Sequence, residues 1–467
     1  MTGPRDVAVS AVNAVLQKGV YSDTVLDILL SRDETAAKSL SQKDRALSTE
    51  LTYGVLRNLK RIDFILSRFS KRPLESLDDK VLNILRVALY QIVFLEKIPP
   101  YAAVNEAVEL AAIYGKRSAG SFINGVLRSA LRSMDGIEYP DEQGDPAGFL
   151  SVYYSLPEWL SRFFIDNFGY ETAKAIAGTY STRPPVAIRT NVMRLTRGEL
   201  LEVLIDRGFD AASTRYSPHG IIVNGGGALF RDELYLDGSF TLQDEASQLV
   251  PIIVDPKPEM RILDLCSAPG IKGTFISELM EDGGFVLSID INEGRAGSIA
   301  ENAKRLGIGS LKTVVADSNS LPLRESELFD LVLVDPPCSG LGTLRRNPEI
   351  KWRLKEKEIE TLIENQRSIL KAAAGRVKRG GALVYCVCTI NPAEGIGVVE
   401  DFLKEHGDFS FEDVSDYLGE GTDRLVSKEC LFTPPQVFDD GVSGNIKAPG
   451  DSDCPDGFFA ARLKRLG

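Results

Sequence analysis

Apolar positions in the first third of the chain recur at three- and four-residue spacing, and no alternating stretch of useful length interrupts them between Asp6 and Arg132. The run Val7-Ala8-Val9-Ser10-Ala11-Val12-Asn13-Ala14-Val15-Leu16 is apolar on more than one face, as expected of a helix inside a bundle. Further helices are predicted over 42–57, 59–69, 77–96, 101–114 and 118–132. Pro99-Pro100 separates two of them, and Pro100 is placed to begin the second. The pattern predicts an all-α domain of five to seven helices within residues 1–140. The stretch 136–146, polar and rich in Gly and Pro, reads as a linker.

The pattern then becomes mixed. Ser155-Leu156-Pro157-Glu158 reads as a helix start with Pro in its first turn, 186–191 and 220–223 as strands, and 196–207 as a helix, which predicts a small α+β module over 150–242. From 243 to 467, apolar runs at 262–265, 285–289, 313–316, 331–334 and 383–385 alternate with helical segments. That alternation predicts βαβ units and a doubly wound, Rossmann-like α/β sheet. The tail 457–463 reads as an edge strand, and 415–455, rich in Gly, Pro and Asp, as a long surface excursion. The fold class expected is multidomain: all-α, then small α+β, then α/β.

Composition narrows the setting. With 43% apolar and 26% charged residues the chain reads as a globular protein. The apolar run 81–95 contains Asn83, Arg86 and Gln91, so it predicts a buried helix and no membrane partner. The first residues lack the regions of a signal peptide, and six cysteines over 467 residues fit free thiols in a reducing cytoplasm. A net charge of −12 argues against nucleic acid as a partner of the whole chain, yet residues 1–134 carry 19 Lys+Arg against 14 Asp+Glu. Phosphate attraction depends on local patches, so RNA binding by this part stays open.

Candidate chemistry collects where predicted strands end, the place where open α/β sheets bind ligands. Asp264-Leu265-Cys266-Ser267-Ala268-Pro269-Gly270-Ile271-Lys272-Gly273 leaves one strand and enters a helix, with small residues that allow close backbone approach. Asp290 ends the next strand 20 residues after Gly270, the offset of an acid that grips ribose hydroxyls. Asp317 ends the third strand and suits an adenine amino group, and Asp335 ends the fourth. The loop has neither Gly-x-Gly-x-x-Gly nor Gly-Lys-Ser/Thr, which disfavours a dinucleotide or a cradled phosphate. Acids on four successive strand ends suit S-adenosylmethionine, with its ribose, adenine and ammonium.

Two thiols follow the same strand ends: Cys338 in Asp335-Pro336-Pro337-Cys338-Ser339-Gly340, and Cys388 in Tyr385-Cys386-Val387-Cys388-Thr389. Carbon 5 of cytosine is a poor nucleophile, and a thiolate added at carbon 6 makes it an enamine-like one, while an acid near nitrogen 3 neutralises developing charge. One thiol and one acid suffice for attack; a second thiol can assist release. Only two histidines, His219 and His406, are present, which disfavours a Ser-His-Asp or Cys-His triad, and two thiols without paired Cys or His make a poor zinc site, so no metal is expected. Cys386 and Cys388 share a strand face, so spacing alone leaves open which of them is catalytic.

Taken together these motifs resemble the RsmB (Sun, Fmu) family of bacterial ribosomal RNA cytosine-5 methyltransferases, with a NusB-like RNA-binding domain in front. Pro100-Tyr101-Ala102-Ala103-Val104-Asn105-Glu106-Ala107-Val108 and Phe122-Ile123-Asn124-Gly125-Val126-Leu127-Arg128 are similar to the NusB part, and Val186–Asn191 with Gln243-Asp244-Glu245-Ala246-Ser247 to the substrate-side module. Arg345-Arg346-Asn347-Pro348-Glu349-Ile350-Lys351-Trp352 resembles a continuation of the Asp335 motif. The resemblance implies that Cys388 attacks, Cys338 releases, Asp335 faces the cytosine and Lys272 lies near its carbonyl or the methionyl end of the cofactor. It implies that Cys266, Ser267, Ala268, Pro269, Gly270, Ile271, Lys272, Asp290, Asp317 and Asp335 surround S-adenosylmethionine, and that Cys386 is structural. The partner implied is small-subunit (16S) ribosomal RNA, naked or in early assembly; transfer RNA and a non-catalytic assembly role are the alternatives. Two positions depart from the family's Ala-Pro-Gly-Gly-Lys-Thr, Ile271 for the second Gly and Gly273 for the Thr; beside Cys388, Val387 and Thr389 replace the usual Thr and Ser.

Overall fold

The computed structural model describes residues 3–31, 40–224, 229, 232–435 and 454–467. The chain forms two compact units, Met1–Thr182 with Leu344–Leu354, and Arg183–Thr343 with Lys355–Gly467.

The first unit is helical. Seven α-helices lie among the described residues up to Ser133: Pro4–Lys18, Ser22–Ser31, Gln42–Arg57, Leu59–Phe69, Asp79–Phe94, Pro100–Ile113 and Gly120–Ser133. The second of these is not foreseen by the periodicity above. Val9, Val12, Leu51, Val55, Ile62, Leu85, Leu89 and Leu127 meet in one core. The helices Gln42–Arg57 and Asp79–Phe94 approach so closely that a Cβ on Gly54 would lie 2.0 Å from Tyr90 Cζ. The stretch read as a linker is packed: Tyr139 stacks on Phe64 and meets the edge of Tyr153. Three more helices, Pro146–Tyr153, Glu158–Phe168 and Tyr170–Tyr180, follow in this unit.

Leu344–Leu354 belongs with these helices. Lys351 is fully buried, and its ammonium donates to the carbonyls of Arg57 (2.8 Å) and Ser155 (2.9 Å). Trp352 donates its indole N–H to Leu56 O at 2.7 Å, and Glu349 accepts from Ser22 Oγ at 2.8 Å. A donor at the carbonyls of a helix C-terminus is favoured by the helix dipole, while burial pulls the Lys351 pKa well below the ordinary lysine value.

The second unit holds two sheets. The smaller is antiparallel, in the order β2-β3-β1-β4, from β1 (Val186–Thr190), β2 (Asp210–Ser213), β3 (Gly220–Asn224) and β4 (Phe240–Leu242). Its helix Arg197–Asp206 starts at Thr196, which with Glu199 forms a reciprocal capping box. The larger sheet contains β5 (Arg261–Leu265), β6 (Phe285–Asp290), β7 (Leu311–Val315), β8 (Phe329–Val334), β9 (Val377–Val387), β10 (Phe409–Glu412), β11 (Val426–Ser427), β12 (Cys430–Phe432) and β13 (Phe459–Arg465). Its order is β11-β12-β13-β9-β8-β5-β6-β7, with β10 also on β13. The pairs β5–β6, β5–β8, β6–β7 and β8–β9 are parallel. Apolar side chains cover both faces, Ile262, Leu331, Leu333 and Val384 on one and Leu263, Val332, Val334 and Leu383 on the other. That double burial is why these strands read as unbroken apolar runs.

Two expectations are corrected. The tail is no edge strand: β13 lies between β9 and β12, and Phe459 to Leu463 are buried, because the sheet continues past it. The segment 415–455 is not simply a surface excursion, since β11 and β12 form a hairpin and Leu425, Cys430 and Leu431 are fully buried. The remainder of that segment, 436–453, lies outside the described residues. Among the described residues, no helix is long and apolar enough to cross a membrane.

Candidate active site

The parallel strands β8 and β9 are neighbours, so the chain leaves both at the same edge of the sheet. Asp335 and Cys338 follow β8, and Cys388 follows β9. Fifty residues apart in sequence, Cys338 and Cys388 therefore have Sγ atoms 3.4 Å from one another, and both are free thiols. The bond with Cys388 and then burial hold the Cys338 thiol well above its ordinary pKa, so it keeps its proton. Cys386 lies within β9 and is fully buried, its thiol pushed up by burial. Cys386 and Cys388 pack against the same core layer, as period-two alternation requires.

The loop from β5 brings a cation to the same edge. Gly270, at φ 87°, turns the chain into helix Ile271–Leu279, and a Cβ there would lie 2.8 Å from Ile299 Cγ2. Lys272, on the first turn of that helix, places Nζ 2.6 Å from Asp335 Oδ2 and 5.1 Å from the Phe458 ring. Burial works against its charge, but Asp335 together with the thiols of Cys386 and Cys388 outweighs burial, and its pKa lies above the ordinary lysine value. The arrangement holds an acid, a permanent cation and two thiols around β5, β8 and β9.

The remaining predicted residues occupy β5, β6 and β7 ends. Asp290 is buried and accepts from Ala268 N (3.2 Å) and Asn292 N (3.1 Å), which ties the loop to β6. Asp317 is exposed and accepts from Asn319 N at 2.9 Å. Both acids thus also hold local turns. Cys266 Sγ lies 3.5 Å from Ser318 Oγ, and burial pushes its thiol up to about 12. Asp264 lies beneath the loop: it is buried, accepts from Ser267 Oγ at 2.5 Å, and burial raises its pKa to about 7. A Cβ on Gly273 would lie 2.6 Å from Asp264 Oδ2, which accounts for Gly at a position where the related loop carries Thr. Arg345 to Trp352, similar in sequence to a continuation of the cysteine motif, lie in the stretch Leu344–Leu354 that packs within the helical unit.

Sequence reasoning misses Arg189. It is fully buried on β1 and donates to Ile271 O (2.8 Å), Gln243 Oε1 (2.5 Å) and Glu278 Oε1 (2.6 Å), with its guanidinium 4.4 Å from the Phe275 ring. It therefore holds the first carbonyl of the helix that carries Lys272. The available signal was a charge inside an otherwise apolar strand pattern, with Glu278 likewise placed in an apolar helix face. Glu394, six residues past Cys388, is a second buried charge of this kind.

The family model described as 16S rRNA methyltransferase RsmB/F matches residues 251–464, that of the NusB family residues 2–132, and that of the RsmF/B-like ferredoxin-like domain residues 156–229. A probable ribosomal RNA small subunit methyltransferase B of Bacillus subtilis is 37% identical over 409 residues, covering 87% of this chain and 90% of the relative. Its counterpart in Synechocystis is 32% identical over 469 residues and covers all of both. The crystal structure of PH0851 shares the fold along 99% of each chain, with a TM-score of 0.79 at 23% identity. That of NSun6 from Pyrococcus horikoshii with SFG does so over 67% of this chain and 98% of its own, with a TM-score of 0.56 at 21% identity.

Proposed function

Since the chain belongs to the RsmB family of S-adenosylmethionine-dependent methyltransferases, we propose that it methylates carbon 5 of a cytosine in small-subunit ribosomal RNA through a covalent cysteine adduct. The observation that carries this reading is the 3.4 Å contact of Cys338 and Cys388 beside the Lys272–Asp335 ion pair. Neither thiol has a histidine beside it among their hydrogen-bonding partners, so a hydrolase-type relay has no base.

The residues present fit the cofactor. Asp290 offers buried carboxylate oxygens to ribose hydroxyls, and Gly270 keeps the loop free of a side chain as the helix begins. Beside them Ile291 is 68% exposed and Val315 50%, which supplies apolar surface next to Asp290 and Asp317 for an adenine ring. The N-terminal amides of helix Ile271–Leu279 and Lys272 complete the donor set. When bound, S-adenosylmethionine supplies the methyl group.

The chain's own residues would then act in order. The Cys388 thiolate adds to carbon 6 of the cytosine, and Asp335, entering the step as the carboxylic acid, gives its proton to nitrogen 3, where negative charge would otherwise build up. Lys272 keeps the acid oriented and lies within reach of the base carbonyl. Once carbon 5 carries its methyl, its proton passes to solvent water, the carbon–sulfur electron pair returns to sulfur as the ring double bond re-forms, and nitrogen 3 gives its proton back to Asp335. Cys338, which holds its proton and touches Cys388, assists that expulsion. Chemistry at carbon 6 needs a base outside its stack, which favours naked or early-assembly RNA over a finished subunit.

The test is tritiated methyl transfer by pure protein to small-subunit RNA from cells lacking the gene, followed by bisulfite sequencing. Incorporation at one protected cytosine is expected. Incorporation into transfer RNA alone would overturn the substrate, and none into any RNA would overturn the activity.

A further inference from the structure

Glu394 is fully buried, and its hydrogen bonds come from neutral donors. Oε1 accepts from Ser339 N (2.7 Å) and Gln366 Nε2 (3.0 Å). Oε2 accepts from Ser339 Oγ, Asn391 Nδ2 (3.1 Å) and Thr389 Oγ1 (3.3 Å). The placing of these donors matters more than their number. Ser339 follows Cys338 and Thr389 follows Cys388, and their hydroxyls are 2.8 Å apart. Gln366 also donates to Pro337 O at 3.1 Å, the carbonyl just before Cys338. On the other side, Tyr385 of β9 donates to the backbone carbonyl of Glu394 at 2.7 Å, and Gly342 N donates to Cys388 O at 3.1 Å.

Burying a carboxylate is expensive unless donors replace its water. Here Ser339, Thr389 and Asn391 donate from the two cysteine loops and Gln366 from helix Glu358–Ala374, just past the last residues that β8 and β9 pair with each other, Val334 and Tyr385. An ionised carboxylate only accepts, so it matches a ring of donors that an amide would meet with its own N–H groups. An apolar residue would take away the acceptor of Ser339 N and Asn391 Nδ2, and leave Gln366 only Pro337 O and the two hydroxyls only each other. The side chain is thus built to draw the two loops to one point, one residue away from each sulfur.

We propose that Glu394 is a positioning residue that binds the two cysteine loops together and sets the Cys338–Cys388 separation needed for attack and release. The part of this concerning catalysis rests on the function proposed above; the part concerning the sulfur separation does not. The residue touches neither substrate nor cofactor in this role. It acts through Ser339 and Thr389.

The full-length protein, Glu394→Gln, Glu394→Ala and Ser339→Ala are treated with diamide, which removes the two thiol hydrogens and closes a disulfide. The rate of the Cys338–Cys388 linkage is followed by peptide mass mapping, alongside single-turnover methylation and S-adenosylmethionine affinity. The Gln variant is expected to cross-link about tenfold more slowly and to lose about 100-fold in single-turnover rate, with cofactor affinity within about twofold of the parent. Cross-linking and turnover both within about twofold of the parent, or a change in only one of them, would overturn the proposal. If the Glu394 variants no longer bind cofactor, Ser339→Ala decides: slower cross-linking supports the proposal, and an unchanged rate overturns it. A parent protein that methylates no RNA would defeat the function proposed above, and the cross-linking rates would still decide the role of Glu394.

Discussion

The Lys272 ammonium lies 2.6 Å from the Asp335 carboxylate, joining the helix after β5 to the loop after β8. The pair spans the point where the sheet order reverses, since β5 has β6 on one side and β8 on the other. Ligand sites in open α/β sheets form at such switch points, because the connections on either side diverge to opposite faces. Lys272→Met keeps most of the stem and removes the charge. It is expected to lower the single-turnover methylation rate by about 10² to 10³, while the thermal midpoint changes little. Because the Lys272 pKa lies above the ordinary lysine value, the parent should lose no activity from this group up to about pH 10.

The two thiols predict opposite phenotypes. Cys388→Ala should abolish turnover and any covalent complex. Cys338→Ala should leave a denaturation-resistant protein–RNA adduct, since attack proceeds and expulsion fails. Gel shift after denaturation checks both, and near-normal turnover without adduct in Cys338→Ala would show the division of labour to be wrong.

Asp264 predicts a pH dependence of stability. Burial raises its folded pKa from 3.8 to about 7. A raised folded value means that the native state holds the proton more tightly than the unfolded chain does. The resulting stabilisation is fully present below the unfolded value and is lost as pH rises through about 7. Asp264→Asn keeps the shape and has no such titration. Urea unfolding at about pH 5 and about pH 8 should show the parent losing more stability across the interval than the Asn variant. Parallel losses would argue against a protonated Asp264.

Arg189 and Glu278 form an ion pair with both side chains fully buried. Arg189→Met alone leaves Glu278 without its cation and should cost about 3–5 kcal/mol. Arg189→Met with Glu278→Met removes both charges and should recover most of that loss. Its cofactor affinity should stay reduced, because the guanidinium that holds Ile271 O is gone. Urea unfolding and titration calorimetry together separate these effects; full recovery of affinity in the double variant would mean that Arg189 serves stability alone.

Much of the architecture follows from short-range pattern. The helices at 42–57 and 59–69 match their predicted bounds because each carries its own apolar stripe, and the first has a capping box at Ser41 and Asp44. Ser22–Ser31 escapes prediction because a ten-residue helix shows too few turns for its period to stand out. The tail was harder still: Phe459 to Leu463 read the same on an edge or in the middle of a sheet until the neighbours are known. Arg189 and Glu394 are missed for a related reason, since nothing in a local window says that a charge will be buried or which donors will meet it.

By itself the sequence determined which residue types stand at strand ends, because hydrophobic alternation and turn residues act over a few positions. It could not determine that the ends of β8 and β9 are neighbours. Strand order is a property of the whole sheet, settled by how helices cover both faces and by β13 pairing along β9. Only the tertiary structure therefore decided that Cys338 and Cys388 touch, that Lys272 meets Asp335, and that a buried Glu394 gathers donors from both cysteine loops.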